Sequence, residues 1–297
     1  MKKATLIGLA VAAILILIGC IIFGGAMSML RWDFGKLSTV KYETNTHEIT
    51  QNFQRIAMET DTADIEFVSF DEENYKVVCQ ERTNGKHTVT VEDGTLTVKL
   101  MDQRTWRDYI GINIGKPKIT LYIPRNQTAD LLIQGPGGSV LTQFLDIRIS
   151  VDTGDVTFDS VSAESVRVKT STGHIRLENL HATALELSVS TGKVELTDIS
   201  CGNLTSTGNT GSMLLKNVTA AEKISIERST GNVKFDGCDA AQIFVTTDTG
   251  SVTGSLLTDK IFIAQTSTGK INVPETTTGG QCRISTDTGD ILLTIAE

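Results

Sequence analysis

Pairs of aspartates three residues apart are the first feature of the sequence that could do chemistry. They are Asp61 with Asp64, Asp152 with Asp155, and Asp287 with Asp290. Two carboxylates that flank a sugar can hydrolyse a glycosidic bond, and acids repeated in adjacent coils of a repeat protein can hold calcium. Neighbouring copies of the repeat carry serine at the first position of the pair, as at Ser171 and Ser267. Because no continuous row of acids forms, we predict that these aspartates form turns.

The four histidines do not belong to a metal-binding or catalytic motif. They are His47, His87, His174 and His181, and none has another histidine or a cysteine at a familiar metal-ligand spacing. The sequence also contains no Gly-x-Ser-x-Gly turn, phosphate-binding loop or His-Glu-x-x-His motif. We therefore predict a non-catalytic protein that requires no cofactor and no metal.

One short segment carries the side chains that most often anchor protein partners. It runs from Asp102 to Tyr109 and contains Arg104, Trp106, Arg107 and Tyr109. Tryptophan, tyrosine and arginine are enriched at the centres of interfaces. Residues 124–297 contain no tryptophan and no tyrosine, which argues against an aromatic platform for polysaccharides there. We predict that these four side chains contact a partner; the alternative is that Trp106 packs onto its own domain.

A repeat of 19 or 20 residues dominates the second half of the chain. A Thr-Gly step recurs eight times, with its glycines at Gly154, Gly173, Gly192, Gly211, Gly231, Gly250, Gly269 and Gly289. Asp, Ser or Asn precedes each threonine and can cap a turn, and glycine tolerates positive φ. Apolar residues alternate on both sides of the step, as at Val194 and Leu196. Each repeat therefore reads as two short half-buried strands joined by two turns.

These patterns predict an all-β fold: a single-stranded β-solenoid with coils of about 19–20 residues. Asp61-Thr62-Ala63 and Gly135-Pro136-Gly137-Gly138 resemble degenerate coils, and residues 71–124 between them alternate like a β-meander. Open strand edges at the ends of a solenoid invite pairing. We expect the meander to cap the N-terminal end. We expect the last half-coil, residues 291–295, to be an exposed edge that pairs with another chain.

The N-terminal segment predicts a membrane anchor. An uncharged run extends from Ala4 to Leu30, between Lys2-Lys3 and Arg31. As a helix it would be about 40 Å long, enough to cross the roughly 30 Å hydrocarbon core and too long for a secretory signal peptide. The two lysines place the N-terminus in the cytoplasm and residues 31–297 outside a single-pass cell membrane protein. Leu17-Ile18-Gly19-Cys20 resembles a lipobox, so a lipoprotein anchored at Cys20 is the alternative.

The chain then divides into four segments: residues 1–30 as cytoplasmic stub and transmembrane helix, 31–50 as linker, 51–145 as degenerate coils with the meander cap, and 146–297 as regular solenoid. From Arg31 onward there are 25 basic and 35 acidic side chains, a net charge of −10. A nucleic-acid partner is therefore not expected. The expected partners are the membrane, through the N-terminal helix, and a protein or cell-wall component.

The anchor, the meander ending in Leu121-Tyr122-Ile123-Pro124, and the repeated Ser/Asp-Thr-Gly-x-Val/Ile corners together resemble the DUF4097 ("putative adhesin") family of bacterial β-strand-repeat proteins, which are related to toast-rack domains. The resemblance covers about residues 50–297, and the chain departs from its own consensus at Ala63, Ser206 and Gly254. It implies a bacterial envelope protein without a catalytic motif. We expect an adhesin-like structural or interaction module; an envelope-stress signalling accessory is the first alternative, and a carbohydrate-active β-helix enzyme is a weaker one.

Overall fold

A long N-terminal helix precedes a domain built almost entirely from β-strands. The computed structural model describes residues 3–109, 115–125 and 144–296, so the predicted degenerate coil around Gly135 lies outside the described residues. Helix α1 covers Lys3–Met29, and single turns of 3-10 helix cover Phe34–Leu37 and Trp106–Tyr109. The strands are β1 Tyr42–Ile49, β2 Arg55–Thr62, β3 Asp64–Phe70, β4 Tyr75–Arg82, β5 Gly85–Glu92, β6 Thr95–Asp102, β7 Lys118–Pro124, β8 Phe144–Thr153, β9 Val156–Thr172, β10 Ile175–Thr191, β11 Val194–Thr210, β12 Met213–Thr230, β13 Val233–Thr249, β14 Val252–Leu256, β15 Lys260–Thr268, β16 Ile271–Asn272, β17 Gly280–Thr288 and β18 Ile291–Ile295.

Helix α1 is apolar on all sides and is not covered by the domain. Its segment Ile7–Met29 is long and hydrophobic enough to cross a membrane, and most of its large apolar side chains are exposed; Met27, in the last turn, is buried. The helix ends where Arg31 and Trp32 both adopt positive φ, 54° and 58°. The backbone N–H of Trp32 donates to the carbonyl of Met27 at 2.9 Å, a bond that closes the last turn and redirects the chain.

The repeats stack as the coils of a β-solenoid, as predicted. Strands β8 to β13 are parallel, and each residue pairs with the same position of the neighbouring repeat, as Ile175 does with Val156 and with Val194. The predicted inward-facing residues Leu185, Leu187, Val194 and Leu196 are fully buried. Because each coil buries its apolar side chains against identical positions above and below, the domain has one continuous core.

Each coil has three straight segments rather than the predicted two. After Gly154 the buried side chains come in three pairs: Val156 and Phe158, Val161 and Ala163, Val166 and Val168. The alternation of buried and exposed residues first shifts by one position six residues after the corner glycine. The residue at this point has positive φ: Ser160, Asn179, Asp198, Asn217 or Gly237. Asn, Asp and Ser tolerate this conformation, but they are also common at other surface positions. The sequence alone therefore does not identify this turn.

Antiparallel strands close the N-terminal end of the stack. Strands β6 and β7 form the first level, parallel to β2 and β3. Strand β5 pairs antiparallel with β6, and β4 pairs antiparallel with β7. Strand β1, which falls within the predicted linker, pairs antiparallel with β4 along its whole length. The predicted meander therefore does cap this end, with β1 added to it.

The last two coils stack in the reverse of their order in the sequence. Strands β17 and β18 insert between the coil of Gly250 and the coil of Gly269. The N–H of Gly250 donates to the carbonyl of Thr288 at 2.8 Å, and the N–H of Gly289 donates to that of Thr268 at 2.9 Å. The prediction that residues 291–295 form an exposed edge was therefore wrong. The open edge is formed by β15 and β16, with Ile261, Ile263 and Ile271 exposed.

Two adjacent glycines allow the last coil to enter the stack. Gly279 has a φ of 92°, and a Cβ on Gly280 would lie 1.7 Å from the carbonyl oxygen of Ala241. The inserted coil is also the more apolar of the two: Cys282, Ile284, Ile291 and Leu293 are fully buried there. The inward-facing residues of the edge coil, such as Phe262, are only half-buried. The reversed order therefore buries the coil that has the more apolar inward-facing side chains.

A buried arginine explains one departure from the repeat consensus. Arg228 lies in the core, 5% exposed, and its Nη2 donates to Ser206 Oγ at 2.8 Å. Its Nη1 occupies the space next to Gly208, 2.0 Å from where a Cβ would be. Burial lowers the pKa of Arg228 to about 10, so the side chain is charged at neutral pH. Ser206 replaces an apolar residue in order to bind it.

The corner glycines generate the first testable prediction. A Cβ on Gly192, whose φ is 153°, would lie 1.8 Å from the carbonyl oxygen of Gly173. We expect Gly192→Ala to lower the free energy of unfolding by at least about 3 kcal/mol, measured by urea denaturation. Gly94→Ala is the matched control, since its φ is also positive but no atom lies within 4 Å. It should cost only about 1 kcal/mol. Equal effects would show that the close approach is unimportant.

The reversed coil order can be tested by disulfide trapping. Thr246 pairs with Ser285, whereas Gln265 pairs with Ser285 from the other side and lies two strands away from Thr246. With Cys20 replaced by serine, Thr246→Cys with Ser285→Cys should oxidise to a disulfide, because paired strands are about 4.8 Å apart. Thr246→Cys with Gln265→Cys should not, at about 10 Å. Efficient crosslinking of the second pair alone would establish stacking in sequence order.

Candidate functional site

The predicted partner segment takes the place of a corner in the first level of the stack. Strands β2 and β3 are joined by Ala63 alone, whereas β6 and β7, which stack on them, are separated by residues 103–117. We call this segment the corner loop. Because its ends are held by a parallel ladder on the solenoid, it is a local expansion of one corner rather than a separate unit.

Arg104 holds the start of the corner loop to the domain. Its guanidinium forms ion pairs with Asp61 and, at 2.7 Å, with Asp102, and its side chain is only 6% exposed. Hydrogen bonds from the Arg104 side chain and backbone lower the pKa of Asp102 to about 2. Arg104 therefore positions the corner loop, and its charge faces these aspartates rather than an outside partner.

Trp106 is presented to solvent. Its side chain is 69% exposed, so its own domain covers only the smaller part of its surface. The turn that carries it is closed by Asp108, whose Oδ2 accepts from the backbone N–H of Thr105 at 2.6 Å and from its hydroxyl at 2.9 Å. These bonds lower the pKa of Asp108. The side chains of Arg107 and Tyr109 lie outside the described residues, and partner contact by this loop stays a prediction.

The corner loop lies against the point where the chain enters the domain. The Tyr42 hydroxyl donates to the carbonyl of Gly115 at 2.8 Å, and a Cβ on Gly115 would lie 2.5 Å from the Tyr42 ring. Within the loop, Asp108 lines a cavity of about 290 Å³ together with residues 39–41 and 82–84. Two points of the loop, Asp108 and Gly115, are therefore next to the segment that follows α1.

The corner glycines have a structural role. They are Gly154, Gly173, Gly192, Gly211, Gly231, Gly250, Gly269 and Gly289, and a Cβ on any of them would lie about 2 Å from a carbonyl oxygen of the adjacent coil. In the part of the chain that the structure describes, no hydroxyl bond joins one corner threonine to the next. Hydroxyls three residues before the glycine bond to the adjacent coil instead, as from Thr286 to Gly250 O at 3.0 Å.

The aspartates just after the corners accept hydrogen bonds from the backbone of the adjacent coil, a role that differs from the predicted one within the turn. Asp64 Oδ1 accepts from the backbone N–H of Asp155 at 3.0 Å, and Asp155 Oδ1 accepts from that of His174 at 2.7 Å. Asp290 Oδ1 likewise accepts from the N–H of Lys270 at 2.8 Å. Each of these three carboxylates therefore binds a backbone donor of the adjacent coil.

Sequence reasoning missed a buried polar cluster in the cap. Cys79, Glu81 and His87 place their ligand atoms within 4.8 Å of one another, and all three residues are buried. Cys79 and Glu81 alternate on β4, and the turn at residues 83–84 returns His87 beside them. The only signal was this alternation, because a Cys-x-Glu pair with a histidine six residues later is not a familiar ligand spacing.

The polar side chains of the cluster, Glu81 and His87, form hydrogen bonds with each other and with neighbouring side chains. Glu81 Oε2 lies 2.7 Å from His87 Nδ1, and Glu81 Oε1 accepts from Asn45 Nδ2 at 2.7 Å. The other ring nitrogen of His87 lies 2.9 Å from Thr60 Oγ1. Burial raises the pKa of the Cys79 thiol to about 12, which disfavours the thiolate that would bind a metal. These side chains therefore join β1, β2, β4 and β5 through hydrogen bonds.

A shallow groove of about 740 Å³ crosses the outer face of the first coils. Four cations line it: Lys99, Arg148, Arg167 and Lys169. Three of them pair with acids at their sides, such as Lys99 with Glu59 at 3.1 Å. Lys169 forms no ion pair within the described ranges. We call this surface the basic groove. It is the kind of surface that binds an anionic group loosely rather than one that encloses a substrate.

The buried cluster generates a stability prediction. His87→Leu leaves the Glu81 carboxyl buried without its partner, so the free energy of unfolding should fall by about 3 kcal/mol. Glu81→Leu with His87→Leu should cost less than the sum of the single changes, because two apolar side chains leave no polar group unpaired. His181→Leu, at a half-buried position, is the control and should cost about 0.5 kcal/mol or less. Additive losses would contradict direct coupling. Stabilisation by zinc that Cys79→Ser abolishes would identify a metal site.

Three solved structures resemble this chain over most of its length. A "putative adhesin" from Bacteroides fragilis superposes with a TM-score of 0.48 and 16% identity, covering 86% of this chain and 97% of that one. A "putative adhesin" from Parabacteroides distasonis gives a TM-score of 0.47 and 11% identity, covering 86% and 98%. A "putative lipid binding protein" from the same species gives 0.44 and 16% identity, covering 87% and 97%. No curated protein matches the chain.

The model of one family matches most of the chain. The match to Toastrack DUF4097 covers residues 53–294, which runs from just before β2 into β18 and leaves out β1. It includes every coil, the cap strands β2 to β7 and the corner loop. The chain is therefore a member of the Toastrack DUF4097 family.

Proposed function

We propose that this chain is a membrane-anchored, adhesin-like interaction module that holds a rigid β-solenoid outside the cytoplasm. The observation that carries the proposal is α1, whose segment Ile7–Met29 is apolar on all sides and exposed along most of its length. Such a surface is stable only in lipid or against another protein. Twelve residues separate α1 from β1, so the solenoid would stand close to the membrane.

A binding role fits the domain better than a catalytic one. Its corner carboxylates are bonded to the backbone, and the Cys79, Glu81 and His87 cluster is closed to solvent. Catalysis requires acid, base and stabilising groups that converge on a space which a substrate can enter. The surfaces that remain available are the corner loop and the basic groove, and both suit recognition.

The basic groove favours an anionic partner at the cell surface. Its four cations lie together on a domain whose charge from residue 31 onward is −10. Local clustering of charge against the overall balance steers ligands of the opposite sign. An anionic cell-wall polymer or an acidic protein segment has the required chemistry. An envelope-stress signalling accessory would share the anchor and differ in its partner, so identification of the bound partner separates the two roles.

The position of Cys20 favours a spanning helix over a lipid anchor. Cys20 lies inside α1, and ten more residues of the uncharged run follow it. Cleavage and lipidation there would remove most of the apolar helix and leave an apolar stretch at the new N-terminus. A mature lipoprotein normally begins with a polar tether.

Anchor and orientation can be tested together by cysteine labelling of intact cells. In a Cys20→Ser background, Glu164→Cys at an exposed position should react with a membrane-impermeant maleimide. A cysteine inserted after Met1 should react only after lysis, because two lysines hold that end inside. Both proteins should remain in the membrane after an alkaline wash. Loss of membrane association on Cys20→Ser would support the lipoprotein, and labelling of only the N-terminal cysteine would reverse the orientation.

A further inference from the structure

We propose that the corner loop docks on the bilayer that α1 spans, with Trp106 in the interfacial layer between headgroups and acyl chains. This inference rests on the proposed membrane anchoring and adds a second point of contact. The solenoid would then be held at a defined angle to the membrane surface rather than swinging freely on its linker.

The first observation is that large apolar side chains are exposed both on the corner loop and on the segment that follows α1. Trp106 is 69% exposed on the corner loop, and Trp32 is 60% exposed just after α1. Phe34, in the linker, and Met101, next to the corner loop, are each 50% exposed. A bilayer that both segments contact would cover these apolar side chains.

The second observation is the short path from the membrane to the corner loop. Met29 ends α1, and Thr39 already lines the cavity that contains Asp108. Four of the intervening residues form a 3-10 turn, Phe34–Leu37, which rises only about 2.0 Å per residue. Even with the rest fully extended, the path from Met29 to Thr39 is at most about 30 Å. The turn at Arg31 and Trp32 shortens it further.

The third observation is that the corner loop borders this entry point. The Tyr42 hydroxyl binds the carbonyl of Gly115, and Asp108 lines the same cavity as residues 39–41. Trp106 is two residues from Asp108 in the same helical turn. The short linker therefore keeps Trp106 within reach of the bilayer.

The chemistry of Trp106 matches the interfacial layer better than a protein surface. Tryptophan collects at membrane interfaces because its ring prefers the acyl boundary while its indole N–H binds water or headgroups. Three exposed cations belong to these segments: Arg31 and Lys41 lie between α1 and β1, and Lys116 lies in the corner loop. None of them forms an ion pair among the described residues. They are suited to lipid phosphates. A bilayer that is permanently within reach also costs less entropy to bind than a separate protein.

The chain has two tryptophans in all, Trp32 and Trp106, which makes the proposal directly testable. Trp32→Phe leaves Trp106 as the reporter, and Trp106→Phe leaves Trp32. Each full-length variant is reconstituted in vesicles of phosphatidylcholine and phosphatidylglycerol, with and without lipid brominated near the headgroup. We expect the Trp106 emission to be blue-shifted and quenched by bromine to within about twofold of the quenching of Trp32.

A third reporter supplies the matched control. Ile263 is exposed on the edge strand at the opposite end of the stack. Ile263→Trp, with both natural tryptophans replaced by phenylalanine, should be unquenched and emit like tryptophan in water. Circular dichroism and thermal melting of the three proteins check that the fold is unchanged.

The outcomes separate this inference from the proposed function. Quenching of Trp32 without quenching of Trp106 would overturn the docking of the corner loop and leave the membrane anchor intact. Absence of quenching at Trp32 would overturn the anchor itself. Equal quenching of all three reporters would mean that the whole solenoid lies on the lipid, which would also overturn a contact specific to the corner loop.

Discussion

The close approach of backbones at the glycine corners is the constraint on which this structure depends. At each corner a side chain would collide with the carbonyl oxygen of the adjacent coil, as at Gly192 with Gly173. Glycine therefore permits the backbone bond from Gly192 N–H to Thr210 O at 2.9 Å, which sets the register of the next coil. Once the register is set, every inward-facing residue meets its equivalents above and below, and the core follows.

The ends of the stack show how the same register is protected. At the N-terminal end β1, β4 and β5 cover the first level with antiparallel pairs, and a hydrogen-bonded cluster around His87 joins them. At the other end the final coil is inserted beneath the preceding one, so the more apolar set of side chains is buried. The remaining edge, β15 and β16, carries the exposed Lys270 at its corner, a charge that discourages pairing with other strands.

Interaction surfaces lie on the outside because the interior has no room for chemistry. The coils are filled by packed side chains, and even the buried Arg228 is accommodated by Ser206 and Gly208 of the preceding coil. Variation is tolerated where a corner can be expanded without breaking the ladders on either side. The corner loop is such an expansion: it carries the exposed Trp106 and, at Asp108, borders the segment that leads from α1.

The repeat, the glycine corners, the identity of most core residues and the apolar helix can be read from the amino-acid order, because each is a local pattern with a period that a strand or helix imposes. The order of the last two coils, the extra turn at residues such as Asn179, and the cluster of Cys79, Glu81 and His87 depend on contacts between residues that are distant in the chain. Coils with the same spacing are equally able to pair with Gly250, so their order depends on which set of side chains is better buried and on whether Gly280 can pass Ala241. The exposure of Trp106 could likewise not be predicted from the sequence. Whether an aromatic ring in a loop is buried or exposed depends on neighbours that are distant in the chain.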